Sequence, residues 1–505
     1  MKVLLVYPEY PNTFWSFKYA LDFINKKASL PPLGLLTIAS MLPEDWSLKL
    51  VDLNVSKLTD EHILWADLVI ISAMSIQKDS ALEIIDRCHK YNVKVAGGGP
   101  LFTVESDKFD NVDYLILGEG EITVPKFLND LKNGDPKKVY MPDDYANMVD
   151  SPAPKWEALD DINAYASLSI QYSRGCPFNC DFCNVTSMLG NRVRTKTVKQ
   201  VITELDNMYN LGWRGGVFFV DDNFIAHKKR VKNDLLPALI NWMKKRKYPF
   251  EFFTQVSINL ADDDEMIDLM VQAGFDTVFI GIETPNEASL NESKKYQNIN
   301  RNLMDSVRKL HRKGLQVQGG FIVGFDTDPL DIFDRQIDFI QKSGIITAMV
   351  GILNAPPGTK LYERLKSENR LLDVFGGNNT DVFINFIPKI DKEKLVEGYL
   401  KIVNTIYSPK KFYERLITFL NDYNPPDYSN TKFSIKRIQA FFKSLYKLGI
   451  LEKERYYYYK LLFWVTIRKF KCIPIAVYLS ICGYHFRKVF EEITINYLSV
   501  SENGN

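Results

Sequence analysis

Short apolar runs alternate with stretches of helical periodicity over most of the chain. In the N-terminal part, the apolar runs lie at residues 2–6, 48–52, 68–72, 93–97 and 114–118. Residues 80–91 are one of the helix-like stretches between them. Strands that alternate with helices form a doubly wound sheet of mostly parallel strands. We therefore predict a doubly wound α/β domain at residues 1–134.

The alternation resumes after a region of different composition. Residues 135–166 are rich in proline and aspartate, which predicts a linker that runs over the surface. Six further apolar runs then follow, at residues 168–172, 216–221, 250–256, 277–283, 317–323 and 348–353. Helical stretches separate several of them, including residues 199–211, 265–273 and 302–313. Six strand–helix units fall short of the eight in a closed barrel. We assign residues 167–370 to this second α/β domain.

The last region, residues 371–505, has a different pattern of hydrophobic and polar residues. Its amphipathic spacing predicts helices at residues 395–407, 410–420, 434–448 and 457–470, and hence a mostly helical domain. Between residues 432 and 488 there are 13 lysines and arginines but only two acidic residues, and aromatic residues lie among them. Such a surface could be a solvated face, or it could contact an anionic membrane or a nucleic acid. We expect no nucleic-acid partner.

The bulk composition is that of a folded globular protein. The chain has 505 residues, 46% of them hydrophobic and 25% charged, with a net charge of +1. The first strand is too short for a signal peptide, and no apolar run has the roughly 18 residues of a spanning helix. Six cysteines do not form a disulfide scaffold. We expect a cytoplasmic protein, with membrane association on the cytoplasmic face as an alternative.

The motif with the clearest chemistry follows the first strand of the second domain. Cys176, Cys180 and Cys183 have the spacing C-x3-C-x2-C. A [4Fe–4S] cluster usually has four cysteine ligands, so three leave one iron open, as in catalytic rather than structural metal sites. A zinc loop would need a fourth ligand, but the nearest histidine, His227, is distant. A chance group of buried thiols is the other alternative.

This loop, including Phe182 before the third cysteine, resembles the signature of the radical S-adenosylmethionine (SAM) enzymes. The resemblance implies that the open iron binds the amino and carboxylate groups of SAM. It also implies an external electron donor, because one electron cleaves SAM to a 5′-deoxyadenosyl radical. The fold implied is an open, partial (β/α)6 barrel.

In such barrels the functional residues lie at the carboxyl ends of strands. By the resemblance, Asp222 binds the SAM amino group and Glu283 its ribose, while Gly320 and Gly324 permit close approach of the adenine. Other interpretations stay open. Asp222 could cap a helix, Glu283 could be a surface acid, and the glycines could simply end a strand.

Three turns at the strand ends of the first domain resemble those of the cobalamin-binding domain found in many radical SAM enzymes. They contain the candidate cobalamin-binding residues Ser72, Ser75, Gly98, Gly99, Glu119 and Gly120. The D-x-H-x-x-G loop that supplies a cobalt ligand in many cobalamin proteins has no counterpart after the first strand. We therefore expect cobalamin without a protein histidine ligand. A vestigial domain that binds no corrinoid is the alternative.

Residues 353–365 and the helical tail are similar to the hopanoid methylases and related lipid-modifying enzymes. The resulting hypothesis is a cobalamin-dependent radical SAM methyltransferase that acts on an unactivated carbon of a small molecule such as a lipid or isoprenoid. One alternative is a radical SAM enzyme that forms a ring or rearranges carbon without transferring methyl. Another is a non-catalytic cobalamin or iron–sulfur sensor.

Overall fold

The computed structural model describes residues 1–372, 376–426 and 435–503. The N-terminal sheet has six parallel strands in the order β2-β1-β3-β4-β5-β6. The strands are β1 (Lys2–Tyr7), β2 (Ser47–Asp52), β3 (Leu68–Ser72), β4 (Lys94–Gly98), β5 (Tyr114–Ile116) and β6 (Val139–Tyr140). The accompanying helices are α1 (Lys18–Leu21), α2 (Leu33–Met41), α3 (Asp60–Trp65), α4 (Lys78–Lys90), α5 (Pro100–Val104) and α6 (Gly120–Lys132).

Apolar side chains cover both faces of this sheet. In β1, Leu4 and Val6 belong to one hydrophobic cluster, whereas Val3 and Leu5 belong to another. Successive residues of a strand point to opposite faces, so the two clusters lie on opposite sides of the sheet. The predicted doubly wound domain is therefore confirmed.

Residues 135–166 pack more closely than their composition predicts. Tyr140 lies in β6, which pairs with β5 at the edge of the sheet. Met148, Trp156 and Tyr165 are almost fully buried. Their apolar side chains anchor a segment whose prolines and aspartates alone suggest a surface linker.

The second sheet also has six parallel strands, in the order β14-β13-β12-β11-β10-β7. The six predicted runs correspond to β7 (Ser167–Ile170), β10 (Gly216–Phe219), β11 (Glu251–Gln255), β12 (Phe275–Glu283), β13 (Gln316–Val323) and β14 (Ala348–Ile352). A small antiparallel pair, β8 (Ser173–Arg174) and β9 (Arg194–Thr195), was not predicted. The helices are α7 (Val185–Leu189), α8 (Val198–Asn210), α9 (Lys228–Arg230), α10 (Leu236–Lys245), α11 (Asp264–Ala273), α12 (Glu287–Glu292), α13 (Leu303–Arg312), α14 (Ile332–Ser343) and α15 (Lys360–Ser367).

Strands β7 and β14 are the two edges of this sheet, so the barrel is open between them. The chain after β1 fills the opening. On the β14 side, the Trp15 indole nitrogen lies 3.3 Å from the Met349 sulfur. On the β7 side, the Ser167 backbone N–H donates to the Ser29 carbonyl at 3.0 Å. Residues 12–29, which we call the closing segment, therefore complete the wall of the partial barrel.

The C-terminal region is helical, as predicted. Its helices are α16 (Lys392–Ile406), α17 (Pro409–Asp422), α18 (Ile435–Tyr446), α19 (Arg455–Arg468) and α20 (Ile473–Asn503). Ser434, at the start of one predicted helix, and Lys432, at the start of the basic stretch, lie outside the described residues. Helix α20 was not predicted, because residues 479–487 are buried on every side and show no amphipathic repeat.

Helix α20 packs against the closing segment. The rings of Phe14 and Phe486 stack with centroids 4.2 Å apart. Cys472 and Cys482 are buried, as expected of core residues. Across residues 1–372, 376–426 and 435–503, no helix is both long enough and apolar enough to cross a membrane.

Candidate cluster and cofactor site

The cysteine loop begins where β8 ends and is held at its base. The Cys176 N–H donates to the Gly190 carbonyl at 3.3 Å. Gly175 has a φ of +90°, and a Cβ there would lie 2.7 Å from the Arg192 carbonyl oxygen. Only glycine fits this backbone without strain. The loop therefore leaves the barrel top in one defined direction.

The three cysteines lie together as free thiols within this loop. Cys180 is buried, and Cys176 and Cys183 are half-buried. Burial raises the pKa of each thiol, that of Cys183 to about 12. Such thiols become thiolates readily only beside a metal or another positive charge. This donor set fits an iron–sulfur cluster, which supplies that charge.

No three His, Cys, Asp or Glu side chains of the described residues converge on a point that could hold a single ion. In a four-iron cube, each cysteine binds a different iron atom. The cluster therefore does not require the sulfurs to meet at one point.

Two adjacent aspartates after β10 have different environments. Asp221 accepts hydrogen bonds from the Tyr172 N–H at 3.1 Å and the Ser173 hydroxyl at 2.5 Å, and it joins two strand ends. The Oδ2 atom of Asp222 is buried and has no hydrogen-bond donor among the described residues. Burial raises the pKa of Asp222 to about 6, although a backbone hydrogen bond and the charge of Arg174 oppose this shift. A buried carboxylate oxygen without a partner fits the ammonium group of SAM.

Asp222 is not a helix cap here, because α9 begins only at Lys228 and its N-cap residue is His227. Strand alternation places Asp222 on the same face of the sheet as Phe218, opposite Asp221. This face lines the interior of the barrel.

Glu283 ends β12 in an unusual conformation. Its φ is +63°, in the left-handed region that residues other than glycine rarely adopt. The pairing register with β13 shifts between Gly281 and Glu283. Asn298 holds this bulge by donating to the Gly281 and Ile282 carbonyls at 3.0 and 2.9 Å. Glu283 is 6% exposed and is therefore not a surface acid. Strain that the surroundings maintain in this way is typical of functional sites.

Lys295 is the residue of this site that the sequence analysis missed. Its Nζ lies 2.6 Å from the Glu283 Oε1, and both side chains are largely buried. Burial opposes the charged form, but Glu283 and the nearby Cys180 and Cys183 raise the pKa of Lys295. The ammonium also lies 5.9 Å from the centroid of the Phe182 ring. No periodic pattern marks Lys295, which follows Lys294 after a short helix.

The two predicted adenine glycines occupy different surroundings. Gly320 lies beside Gly281 in the register of β12 and β13, and a Cβ on Gly320 would lie 2.9 Å from the Phe279 ring. Gly324 has a φ of +103°, and its Cβ would meet Leu395 of α16 at 3.1 Å. Gly320 therefore lets the Phe279 ring pack closely against β13, whereas Gly324 forms a turn that packs against a helix.

Most of the candidate cobalamin residues lie together at the strand ends of the N-terminal sheet. Ser72 and Gly98 are paired between β3 and β4. Gly99 has a φ of +85°, and its Cβ would lie 2.7 Å from the Ser72 hydroxyl oxygen. Ser75 follows the same turn, and Gly377 packs against it. Ser72, Ser75, Gly98 and Gly99 have small side chains or none, but Met74, which lies between the two serines, is 42% exposed on the same turn.

Glu119 and Gly120 are placed differently. The Glu119 carboxylate is 5% exposed and pairs with Arg174 and Arg194, each at 2.8 Å. A Cβ on Gly120 would lie 2.5 Å from the Ile38 side chain. Glu119 therefore contributes a contact between the two α/β domains, and its carboxylate is not free for a cofactor.

The interior of the barrel is aromatic. The Phe218 and Phe253 rings stack with centroids 4.8 Å apart. Phe279, on the next strand, meets Trp15 of the closing segment edge-on, with centroids 5.5 Å apart. All four side chains are partly exposed. The barrel thus offers an apolar wall below the cysteine loop.

Each region of this fold matches a family model. The B12 binding domain matches residues 23–128, and the radical SAM superfamily matches residues 170–340. A domain of unknown function, DUF4070, matches residues 359–497. The class is therefore that of a radical SAM enzyme with a B12-binding domain.

Two curated relatives extend along most of the chain. An uncharacterized methyltransferase of Synechocystis is 44% identical over 418 residues, which is 82% of this chain and 78% of that protein. The hopanoid C-2 methylase of Rhodopseudomonas palustris is 34% identical over 477 residues, or 92% of this chain and 88% of that protein. The chain belongs to the family of cobalamin-binding radical SAM enzymes that contains this methylase.

Two solved structures have a fold similar to that of this chain. The cobalamin-dependent SAM radical enzyme OxsB, with aqua-cobalamin bound, has a TM-score of 0.61 and 18% identity over 100% of this chain and 81% of its own. The radical SAM methyltransferase TsrM from Kitasatospora setae has a TM-score of 0.59 and 14% identity over 85% of this chain and 97% of its own. At these identities the likeness concerns the fold.

These findings confirm several predictions at the level of the family. The fold class, the enzyme class and the cofactor set of [4Fe–4S] cluster, SAM and cobalamin are those expected. The chain is thus an enzyme rather than a non-catalytic sensor. The roles of individual residues stay predictions.

Proposed function

We propose that this enzyme transfers a methyl group to an unactivated carbon of an apolar small molecule, a lipid or isoprenoid. The observation that carries the proposal is the similarity to a hopanoid C-2 methylase over 92% of the chain, because this match includes both cofactor domains and the tail. The aromatic barrel interior supports an apolar substrate.

When bound, the cluster and SAM supply an organic radical that abstracts hydrogen, and cobalamin supplies the methyl group. The protein's own residues hold and orient the reactants. Cys176, Cys180 and Cys183 would bind the cluster. The buried Oδ2 of Asp222 would accept the SAM ammonium group, since it has no donor among the described residues.

Glu283 would accept a hydrogen bond from the SAM ribose. Lys295 pairs with one of its carboxylate oxygens, at 2.6 Å, and fixes the orientation of the other. The absence of a Cβ on Gly281 lets the Glu283 carboxylate lie against this strand, because a Cβ there would be 2.2 Å from its Oε1 atom. The site is therefore preorganised for a nucleoside.

The apolar wall has two roles in this proposal. Phe218, Phe253 and Phe279 would contact the substrate, and Trp15 would close the side of the barrel against water. Exclusion of water protects a radical from side reactions. The reaction also requires an external electron donor. Peripheral contact with an anionic membrane on the cytoplasmic face is supported by the excess of cations in residues 432–488.

The test uses anaerobically reconstituted protein with SAM, cobalamin and a strong reductant, with and without a membrane-lipid extract. 5′-Deoxyadenosine and S-adenosylhomocysteine are quantified together. If the proposal is correct, lipid raises both products in step and label from the SAM methyl group enters a lipid. Cys176→Ala should abolish both, whereas Cys472→Ala, which changes a core thiol, should retain both.

Deoxyadenosine without S-adenosylhomocysteine would contradict methyl transfer. It would favour the alternative of ring formation or rearrangement. A relative with that kind of activity, the anaerobic magnesium-protoporphyrin IX monomethyl ester cyclase of Synechocystis, is 25% identical over 68% of this chain and 71% of that protein.

A further inference from the structure

Two helices of the C-terminal region each expose an apolar stripe. On α18 and the turn after it, Ile438, Phe442, Tyr446 and Ile450 recur at every fourth position and are 38% to 63% exposed. Residues at this spacing lie on one face of a helix. The opposite face, which includes Ala440, Ser444 and Leu448, is buried.

Helix α19 repeats this arrangement. Tyr458, Leu461 and Val465 form its buried face. Its exposed side chains are 48% to 71% accessible and recur at every third or fourth position: Tyr456, Tyr459, Phe463, Ile467 and, just beyond the helix, Phe470. A helix with apolar residues on both faces normally has a second apolar neighbour. We call residues 435–471, which contain α18, α19 and the turn between them, the exposed hairpin.

The charge on the exposed hairpin has one sign. Lys453, Arg455, Lys460, Arg468 and Lys471 are exposed, and none forms an ion pair with a carboxylate of the described residues. The two acids of the turn both lie near cations, and Glu452 is only 23% exposed. Glu454 is buried against Arg487, and Glu452 lies 3.9 Å from Lys488.

We propose that the exposed hairpin docks on the surface of an anionic phospholipid bilayer. Its aromatic and aliphatic side chains would enter the headgroup region while its unpaired cations contact lipid phosphates. A nucleic acid would use stacking aromatics but gains little from exposed isoleucines such as Ile438, Ile450 and Ile467. In a symmetric dimer, the unpaired cations would face each other across the interface, which is unfavourable.

The hairpin is also joined to the wall of the active-site barrel. Lys443 donates to the Asp22 carbonyl at 2.8 Å, and the Lys447 ammonium lies 5.2 Å from the centroid of the Phe23 ring. Asp22 and Phe23 belong to the closing segment, which also places Trp15 inside the barrel. Docking would therefore bring the closing segment of the barrel wall close to the membrane. This inference deepens the proposed function, because it names the surface by which the enzyme would reach a membrane lipid.

Flotation of the full-length protein with vesicles tests the inference. The vesicles contain either phosphatidylcholine alone or phosphatidylcholine mixed with phosphatidylglycerol. We expect binding to the mixed vesicles that weakens as salt is raised. The double change Phe463→Ser and Phe470→Ser should weaken it about tenfold or more. Lys460→Glu with Arg468→Glu should weaken it at least about fivefold per cation.

The control variants make comparable substitutions at exposed positions outside the hairpin. Leu330→Ser alters an apolar residue that is 77% exposed in another region, and Lys132→Glu alters an exposed cation at the end of α6. Both should bind like the wild type. Circular dichroism and SAM cleavage without lipid should be normal in all variants.

Wild-type protein that floats with neither vesicle would overturn the inference. Hairpin variants that bind vesicles as well as the controls do would also overturn it. A third contradicting result would be a dimer, detected by light scattering, that dissociates in the Phe463→Ser variant. Flotation is measured without turnover, so it separates this inference from methyl transfer. Vesicle binding without a methylated product would reject the proposed function alone, and a methylated product without vesicle binding would reject the docking surface alone.

Discussion

Arg174, two residues before Cys176, forms a bidentate ion pair with Glu121 at the start of α6. Both nitrogen–oxygen distances are 2.8 Å. Burial alone would raise the pKa of Glu121, but the hydrogen bonds and charge of Arg174 lower it to about 2. The pair therefore stays ionised at neutral pH. It connects the cysteine loop to the domain that matches the B12 binding domain.

We predict that Arg174→Met separates the two half-reactions. Removing one partner of a buried ion pair costs about 3 to 5 kcal/mol and leaves Glu121 without its partner. S-Adenosylhomocysteine formation should fall at least about tenfold relative to 5′-deoxyadenosine formation, because methyl transfer needs both cofactors in register. The ratio of the two products, measured by chromatography, checks this. Arg335→Met, which breaks an exposed pair with Asp331, is the matched control and should change neither.

The second prediction concerns Glu283. Glu283→Gln keeps the shape of the side chain but removes the charge that Lys295 contacts. The ribose contact should weaken, so the dissociation constant for SAM should rise about tenfold or more. Anaerobic calorimetry measures it. Glu287→Gln, on the neighbouring α12, should bind SAM normally, and equal affinities of the two variants would contradict the assigned role.

Gly281 provides an independent test of the same site. In Gly281→Ala, the new methyl group would lie 2.2 Å from the Glu283 Oε1 and 2.8 Å from the Lys295 Nζ, and the ion pair must separate. We expect SAM affinity to fall at least as much as in Glu283→Gln. Gly34→Ala is the control, since its methyl group would meet nothing within 4 Å. A normal SAM titration for Gly281→Ala would place the nucleoside elsewhere.

The pKa of Asp222, about 6, predicts that the affinity for SAM depends on pH. Only the carboxylate accepts the SAM ammonium, so SAM affinity should fall as pH decreases below about 6, by up to tenfold per pH unit. Asp222→Asn should bind SAM weakly at every pH, without this midpoint. A wild-type affinity that stays constant between about pH 5 and pH 8 would argue against Asp222 as the ammonium partner.

The same shift affects stability in the opposite sense. The folded pKa of Asp222 lies above the ordinary value of 3.8, so the fold favours the protonated carboxyl group. Its contribution is complete below the ordinary value and is lost as pH rises through about 6. The wild type should therefore lose about 3 kcal/mol relative to Asp222→Asn between those limits. Thermal unfolding of the two proteins without ligands across this range measures the difference.

Local patterns in the sequence predicted the strands and the cysteine loop. All six barrel strands were predicted, since each is a short apolar run. Asp222 and Glu283 were selected because they lie at the ends of such runs and because the family resemblance assigns roles to these positions. Lys295 was missed because its importance comes from Glu283, a neighbour across a bulge. Arg174 and Glu119 were likewise not recognised as partners, although they are 2.8 Å apart, because nothing local marks a contact between domains.

The contact between helix α20 and the closing segment was not predicted for the same reason. Phe14 and Phe486 stack on each other across almost the whole length of the chain, and neither lies in a pattern that indicates the other. Contacts between residues so distant in sequence depend on the shapes of the two folded surfaces that pack together. They become visible only when the three-dimensional structure is known.

The position of the closing segment has a consequence for biosynthesis. Residues 12–29 are synthesised long before α20, against which they pack. The packing around the closing segment therefore cannot be completed until α20 has been translated, and Trp15 stays in an incompletely packed intermediate until then. Contacts so distant in sequence also slow folding and leave apolar surface open to aggregation. Chaperone dependence during synthesis should accordingly be greater for this enzyme than for a barrel that closes through neighbouring strands.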